Sequence, residues 1–599
     1  MPAAIPLCIA MMAVAVGSAR ADTYCVGKTG CDHDVADLQT ALNMAAAAAG
    51  RDTVDLAGSA TSASGFSYND PDDPVSIEGT DNPRVSASSA GATTLKVLGA
   101  RGSTISGIDV IVQPDGGTGI ETNGTIQGSV IESGQGAAHD QFGVRLRAGG
   151  LLSSSDIQLP LAAPSGTAVV VDGADTAVSD SRLEGPIGMS ASAAAASSTV
   201  QRVRMAFSGS GGIFVEGGAD MVVEDTLLDT RSGAGAAHTG ASVDSSGVDS
   251  SLALNNVTIA GAAGQGSVAL HATASGGSRT GLTFRNGIVD SYPVAIVRTA
   301  TGAGSVADVA TDYSDYSGTM QSSGPGGLSE TNHLTAAPAF ASATDFHLRS
   351  DSPLVDAGDP AALDTGESPQ DASGQPRVVD GSGDCEAQRD LGAFEFQPGE
   401  RAPIAVASVA TLQPATDQPV SFDASESCDP DGDALTYVWS FDDGSVGEGV
   451  TRERAFSRAG LHFAAVTVTD STGRSTMAVA AVRVTRPTPP PFAGVTIPKQ
   501  TVRVSKSGVA AVKLRCPLGT VGACTGSVTL SRAGDRKMGR ASVAIARGAT
   551  RKVNVKLTRR ARAALKKAKR LNVTATVSGR DANSTGRRTK STIKLVAPR

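Results

Sequence analysis

Ser129-Val130-Ile131, Ser155-Asp156-Ile157, Ser181-Arg182-Leu183, Val203-Arg204-Met205, Thr226-Leu227-Leu228, Val257-Thr258-Ile259 and Gly287-Ile288-Val289 are versions of one piece of chain. Most run from a small or polar residue to an aliphatic one. Their last residues lie 26, 26, 22, 23, 31 and 30 apart. A second apolar piece sits upstream of most, at Gly119-Ile120, Val144, Val169-Val170-Val171, Ile213-Phe214-Val215, Val243 and Val268 to Leu270. A loose period in the twenties with two short strands per turn is what a solenoid needs, because one coil cannot bury its inner face and the next coil covers it. Inward positions then stack like on like. Corners need positive φ or tight packing, so Gly, Asn and Asp recur between the strands. The alternative is a stack of all-β sandwiches.

Composition agrees. A chain of 599 residues exceeds a single core. With 70 Gly and only 4% aromatics, core volume must come from small residues in repeated layers or from small sandwiches. Charged residues at 18% are too few for a long coiled coil, and 40% hydrophobic content argues against disorder. Upstream of the repeats, Val35, Leu38, Leu42 and Ala45/Ala46 share a face at helical spacing, predicting a helix over 35–49 stopped by Gly50. Asp52-Thr53-Val54-Asp55-Leu56 then reads as a strand. Helix, strand and repeats together resemble the right-handed parallel β-helix proteins of the pectate-lyase-like superfamily. In that family such a helix is an N-terminal cap, which covers the first coil and blocks edge-to-edge association.

Further on, Asp345-Phe346-His347-Leu348, Ser352-Pro353-Leu354-Val355-Asp356-Ala357-Gly358, Gly374-Gln375-Pro376-Arg377-Val378-Val379-Asp380-Gly381 and Asp390-Leu391-Gly392-Ala393-Phe394-Glu395-Phe396 resemble the end of bacterial surface β-helix proteins of the choice-of-anchor type. That resemblance implies extracellular display. Phe422-Asp423-Ala424-Ser425, Asp429-Pro430-Asp431-Gly432-Asp433, Tyr437-Val438-Trp439-Ser440-Phe441-Asp442-Asp443-Gly444 and Val466-Thr467-Val468-Thr469-Asp470 resemble a PKD (polycystic-kidney-disease-type) domain, an immunoglobulin-like sandwich. Asp442 stands where that family usually has Gly, and Arg454 where a His often precedes the aromatic Phe456. Leu461, Phe463, Ala465 and the Val466/Val468 pair are expected to share a strand with one buried face, and Trp439 to be core. Pro487 to Pro491 begins a stiff linker. The last hundred residues alternate at Val502, Val504, Val509, Val512, Leu514, Val528, Leu530, Val553, Val555, Leu557, Val573 and Val577, interrupted by a basic helix over Thr558 to Leu571.

The expected fold class is all-β. A right-handed parallel β-helix with an N-terminal helical cap fills 22–400, a PKD β-sandwich 401–486, a linker 487–496, and a basic β-sandwich-like domain 497–599. Residues 1–21 read as a signal peptide, from the apolar run Ile5 to Gly17 and the small residues around Ala19-Arg20-Ala21, although basic residues are missing before the run. The alternative is a membrane anchor; no later segment is apolar and long enough to span a bilayer. After cleavage Cys25, Cys31, Cys385, Cys428, Cys516 and Cys524 remain, allowing fifteen pairings. Proximity favours Cys25–Cys31 and Cys516–Cys524, and leaves Cys385 and Cys428 for each other. Disulfides suit an oxidising compartment, and no C-x-x-C spacing suggests zinc. The expected localisation is therefore extracellular, secreted or surface-associated.

Charge is segregated. Residues 497–599 hold 26 Lys+Arg against 2 Asp+Glu, leaving 25 and 57 of the chain's 51 and 59 to the rest. Arg559, Arg560, Arg562, Lys566 and Lys567 form a cationic stripe suited to an anionic wall polymer. Export and the lack of interleaved aromatics disfavour nucleic acid. On the β-helix, a lyase needs a base, often Arg or Lys, and a hydrolase needs two carboxylates across a bond. Arg145 and Arg147, preceded by His139-Asp140, are the candidate base cluster. Asp156 and Asp180 are read as matching polar slots one coil apart. The paired Asp and Gly-His-Gly of β-helix glycosidases are absent. Asp429, Asp431 and Asp433 alternate in a loop as calcium ligands would, the bland reading being a polar turn; Asp380, Asp384, Asp390 and Glu395 form a second acidic group. The leading expectation is a non-enzymatic surface binding or adhesion protein that contacts polysaccharide, an anionic wall polymer or another surface protein. The alternative is an extracellular polysaccharide lyase or glycoside hydrolase.

Overall fold

The computed structural model describes residues 21–134, 139–163, 165–192, 197–230, 237–261, 264–486, 491–583 and 586–599. The signal-peptide run and the start of the Pro-rich linker lie outside them. Two compact units result, residues 1–406 with 425–437 and 467–477, and residues 407–424 with 438–466 and 478–599.

The first unit contains a β-solenoid of about 11 turns, whose strands pair in parallel with those of neighbouring coils. Three sheets run its length, not two. Sheet A includes Thr118–Thr122, Gln141–Leu146 and Gly166–Val171. Sheet B includes Thr125–Gln127, Leu151–Ser153 and Thr176–Ser179. Sheet C includes Val130–Ser133 and Asp156–Gln158. The two-strand expectation missed sheet B because its early strands are three residues long with one inward side chain, too short to show a period.

Register follows the repeated aliphatics. Ile131, Ile157, Leu183, Met205, Leu228, Ile259 and Val289 pair in sequence along sheet C. On sheet A, Ile120, Val144, Val169, Met189 and Ile213 do the same. All are buried in one core. Glycine lets the sheets close on each other: a Cβ at Gly212 would lie 2.7 Å from the Gly240 carbonyl oxygen and 2.8 Å from the Phe207 ring. Small residues thus supply the layers that aromatics do not.

The turn from sheet B to sheet C is a single left-handed residue. Ser154, Asp180, Arg202, Asp225, Asn256 and Asn286 occupy it on successive coils, with φ between 47° and 53°. Asn and Asp are favoured there because a short polar side chain offsets the steric cost. The next residue often hands a hydroxyl to the coil before: Ser129 and Ser155 donate their N–H to Ser155 and Ser181 Oγ at 3.3 and 3.2 Å.

The N-terminal cap helix α1 runs Leu38–Ala47. It is shorter than the 35–49 expectation. Asp37 caps it, accepting from the Thr40 N–H at 2.9 Å. Val35 belongs to the preceding strand His33–Val35, and the chain turns extended at Ala48, before Gly50. Leu38, Ala41, Leu42 and Ala45 are buried in the solenoid core. Asp52–Leu56 is a strand as expected.

Residues 335–396 form a strap with little regular structure against the outer face of sheet C. Leu227 packs with Phe346, Ala393 and Phe394, and Ile288 with Leu348, Leu354 and Leu391. These strap residues thus cover an apolar column. Disulfides join Cys25–Cys31, Cys385–Cys428 and Cys516–Cys524.

In the second unit Phe422, Trp439, Phe441 and Phe456 cluster, with ring centroids 5.6–6.3 Å from Phe422. Trp439 is fully buried and donates Nε1–H to the Gly449 carbonyl at 3.1 Å. On the strand Gly460–Thr469 the buried face is Ala464, Val466 and Val468, while Leu461 and Phe463 are exposed. The expected face was mixed because apolar residues occupy both sides. The C-terminal part packs a five-stranded sheet and the pair Val509–Arg515 with Thr550–Lys556 around one core, a small sandwich. Its helix α2, Arg559–Ala568, is capped by Thr558; Leu571 belongs to the following strand.

Candidate functional site

On sheet A, Lys96, Glu121 and Arg145 align on the outward face of three coils. Lys96 Nζ lies 3.1 Å from Glu121 Oε2, and Arg147 reaches Glu121 Oε1 at 2.6 Å. Asp172 Oδ2 takes Arg145 at 2.9 Å and Arg147 at 3.2 Å. Burial alone would raise the Glu121 carboxyl, yet the hydrogen bonds from Arg147 and Lys96 hold it below its usual range. Arg145 and Arg147 are therefore the rungs of an ionic ladder. His139 and Asp140 are exposed before it.

Asp156 and Asp180 do not share a slot. Asp156 faces outward on sheet C, paired in register with Val130 and Arg182, and takes the Gln158 amide at 2.6 Å. Asp180 is a corner residue, ion-paired with the next corner residue, Arg202, at 2.6 Å. The Arg202 hydrogen bonds hold its carboxyl low. The two lie two residues apart in coil position, so the spacing of 24 that suggested a match falls short of the 26-residue coil. A notch of about 320 Å³ opens between this corner and the strap, lined by Asp180, Arg182, Arg202, Arg204 and Ser373.

A line of side chains that sequence reasoning did not assemble borders this notch. His347 Nδ1 lies 2.6 Å from Asp345 Oδ1, and its Nε2 lies 2.9 Å from Ser373 Oγ. An acid, a base and a hydroxyl in that order can activate a nucleophile. The backbone N–H groups around Ser373 are already spent, however: Ala372 donates to Ala393, Ser373 and Gln375 to the Asp371 carboxylate, and Gly374 to the Asp371 carbonyl. No oxyanion pocket of backbone donors is left. The His347 ring lies tilted by 35° against Phe394, 4.3 Å away, a contact within the strap.

Deeper under the strap lies a buried charged cluster that spacing could not reveal. Arg377, fully buried, donates to Asp225 at 2.7 Å and to the Gly392 and Ala393 carbonyls at 3.0 and 2.7 Å, with Glu395 at 3.6 Å. Burial pushes Asp225 up to about 7 despite that guanidinium. Burial likewise raises Asp390 to about 7 and Glu395 well above its usual value. One cation thus serves three carboxyls. Arg389 pairs with Glu367 at 2.5 Å beside it.

The acidic groups singled out from sequence serve loops. Asp380 accepts from the Gly383 and Cys385 N–H groups and Asp390 from Asp356, while Asp384 accepts from Glu386. Asp429 accepts from the Asp431 and Asp433 N–H groups at 2.9 and 3.4 Å, Asp431 accepts from the Arg401 N–H, and Asp433 accepts from Ser471 at 2.7 Å. Among the described residues no three carboxylate, His or Cys groups converge as metal ligands would.

In the C-terminal sandwich, Ala561 and Leu565 anchor α2 and the rest of its face is exposed. The expected stripe divides in two. Arg559, Arg562 and Lys566, with Lys569 just beyond the helix, follow one another at spacings of three and four. With Lys506 they line a groove of about 510 Å³ floored by Val504 and Leu565. Arg560 and Lys567 are exposed but do not line it. No carboxylate or aromatic residue is among the lining side chains.

Comparison with known proteins adds the following. Residues 400–485 match the PKD domain family. The PKD domain is where the Trp439 cluster sits. No curated protein matches the chain. Among similar solved structures, the PKD1 domain of Vibrio anguillarum Epp is 27% identical, covering 15% of this chain and 99% of its own, with a TM-score of 0.13. SGBP-B of the Bacteroides ovatus mixed-linkage glucan utilization locus, solved in complex with a mixed-linkage heptasaccharide, is 16% identical, covering 33% of this chain and 48% of its own, with a TM-score of 0.13. A Ca2+-stabilized adhesin with which an Antarctic bacterium binds ice is 16% identical, covering 33% and 50%, with a TM-score of 0.14.

Proposed function

We propose that this is an exported, non-catalytic binding protein of the cell surface or its surroundings. In this reading the capped solenoid, of the right-handed pectate-lyase-like type with a choice-of-anchor end, is a stiff body, and the basic C-terminal sandwich holds an anionic polysaccharide or wall polymer. The carrying observation is the division of charge. Lys96, Arg145 and Arg147 of the solenoid are spent in a ladder with Glu121 and Asp172, whereas residues 497–599 carry 26 cations against 2 acids and present a cationic groove. A surface of one sign attracts polymers of the other and loses them as salt screens it. Three disulfides suit an oxidising compartment, and no helix among the described residues is long and apolar enough to cross a membrane.

The test is retention of the full chain on washed, insoluble cell envelopes across a salt series. Retention at about 0.05 M salt that is lost by about 1 M supports the proposal, because the Debye length falls from roughly 14 to 3 Å over that range. Failure to bind at low salt sinks it.

A further inference from the structure

The groove beside α2 has more definition than a basic patch. Its cations fall on one side of the helix, Arg559, Arg562 and Lys566 continuing to Lys569. At about 1.5 Å rise per residue this row is roughly 15 Å long. Lys506 faces it from the turn Ser505 to Gly508, whose Gly508 N–H closes on the Ser505 carbonyl at 2.9 Å. Gly508 has φ +82°, and a Cβ there would meet Arg562 Cδ at 2.2 Å. The missing side chain is what lets the Arg562 stem cross the turn.

Lys569 gives an independent indication. It ends α2 with φ 62°, a conformation in which Gly or Asn is expected and a Cβ is disfavoured. Its backbone does the capping. The N–H bonds the Leu565 carbonyl and the carbonyl accepts from Ala597, both at 2.9 Å. A glycine could do both, so the cap gives no reason for a lysine. Its side chain lines the groove.

We propose that this groove is a binding site for a linear polymer carrying phosphodiester groups, one stretch of whose backbone lies along Arg559, Arg562, Lys566 and Lys569 with Lys506 opposite. The inference rests on the surface-binding reading above and names its ligand class. A row of separate cations calls for anions spaced along a chain. Arginine forks and lysine point charges approaching from two walls suit tetrahedral phosphate oxygens, which accept from directions outside any one plane, better than a carboxylate, whose two oxygens accept best within a single plane. No lining aromatic offers a platform for sugar rings or bases, so the site reads charge along a backbone.

The experiment titrates the full chain with poly(glycerol phosphate), polygalacturonate and single-stranded oligo-dT at two salt concentrations. Poly(glycerol phosphate) is expected to bind tightest. Lys569→Gly is expected to fold as the parent by circular dichroism and melting and to weaken binding about ten-fold, the loss of one charge-assisted contact. Lys506→Gln with Lys566→Gln is expected to cost about a hundred-fold on the same basis and to flatten the salt dependence by roughly 0.7–0.9 per lost contact, as for nucleic-acid phosphates. Lys552→Gln with Lys594→Gln removes the same charge from outside the groove and is expected to change affinity by less than about three-fold. An equal loss in that control overturns the groove in favour of net charge. Equal or tighter binding of polygalacturonate or oligo-dT overturns the phosphodiester assignment. Binding of none of the three by a chain that still holds to envelopes overturns the groove proposal and leaves the surface reading standing.

Discussion

Arg377→Met tests how the strap is held. The substitution keeps an apolar stem of similar length and removes every donor. The Gly392 and Ala393 carbonyls, bonded at 3.0 and 2.7 Å, are left without partners inside a fully buried site. Each unpaired buried group costs about 1–3 kcal/mol, so the sum is about 4 kcal/mol, or roughly a thousand-fold in strap opening. Asp225 adds a pH-dependent part. Its carboxyl is raised to about 7, so the contribution of its neutral form is complete below the ordinary carboxylate range and is lost as pH rises through about 7. Without Arg377 the folded-state value climbs further, and the variant keeps losing stability where the parent has levelled off. The gap should widen above pH 7 by about 1.4 kcal/mol per pH unit. Native-state hydrogen exchange reads this at the Gly392 and Ala393 amides, which donate to the Asn286 carbonyl and Thr258 Oγ1 at 2.8 Å. Arg349→Met, in an exposed pair with Asp351, is the comparison and should cost no more than about 1 kcal/mol. Equal exchange in the two variants, or a gap that stays constant from pH 6 to 9, refutes the buried-cation account.

Gly212→Val places a side chain 2.7 Å from the Gly240 carbonyl oxygen, and urea unfolding should show the solenoid weakened by about 1–3 kcal/mol or more; an unchanged midpoint contradicts the stacking account. Asn286→Ala keeps φ 52° but loses the side-chain oxygen that takes the Asp359 N–H at 2.8 Å; a loss of about 2–3 kcal/mol is expected, with Asn286→Gly closer to the parent. Glu121→Gln breaks the outward ladder of sheet A and should cost about 1–3 kcal/mol at pH 7. Because the Glu121 carboxyl is held low, its contribution is present above the ordinary carboxylate range. The melting difference should therefore vanish as pH falls through the lowered value, and a difference that persists in acid shows the ladder is not its source.

The solenoid was legible because stacking forces repetition. Ile131, Ile157, Leu183, Met205, Leu228, Ile259 and Val289 recur in the sequence for the same reason that they pair in register. Sheet B was not legible, since a three-residue strand leaves no period. The Asp156 and Asp180 comparison failed because both flank the serine of a corner, and only the register places one two residues past the turn's apex and the other at it. The buried cluster was out of reach: Arg377 and Asp225 stand 152 residues apart, and nothing local marks either as a partner. At α2 the spacing of Arg559, Arg562, Lys566 and Lys569 was present in the sequence. The facing Lys506, which turns a cationic side into a groove, comes from a distant turn.

The central claim is that the protein binds an anionic polymer without altering it. The most direct test incubates the purified full chain with anionic polysaccharides and wall polymers, with and without calcium, and follows bound protein, new reducing ends and unsaturated products in the same samples. Binding that declines with salt, with no product over prolonged incubation, is the predicted result. Turnover of any polymer, or binding indifferent to salt, contradicts the account.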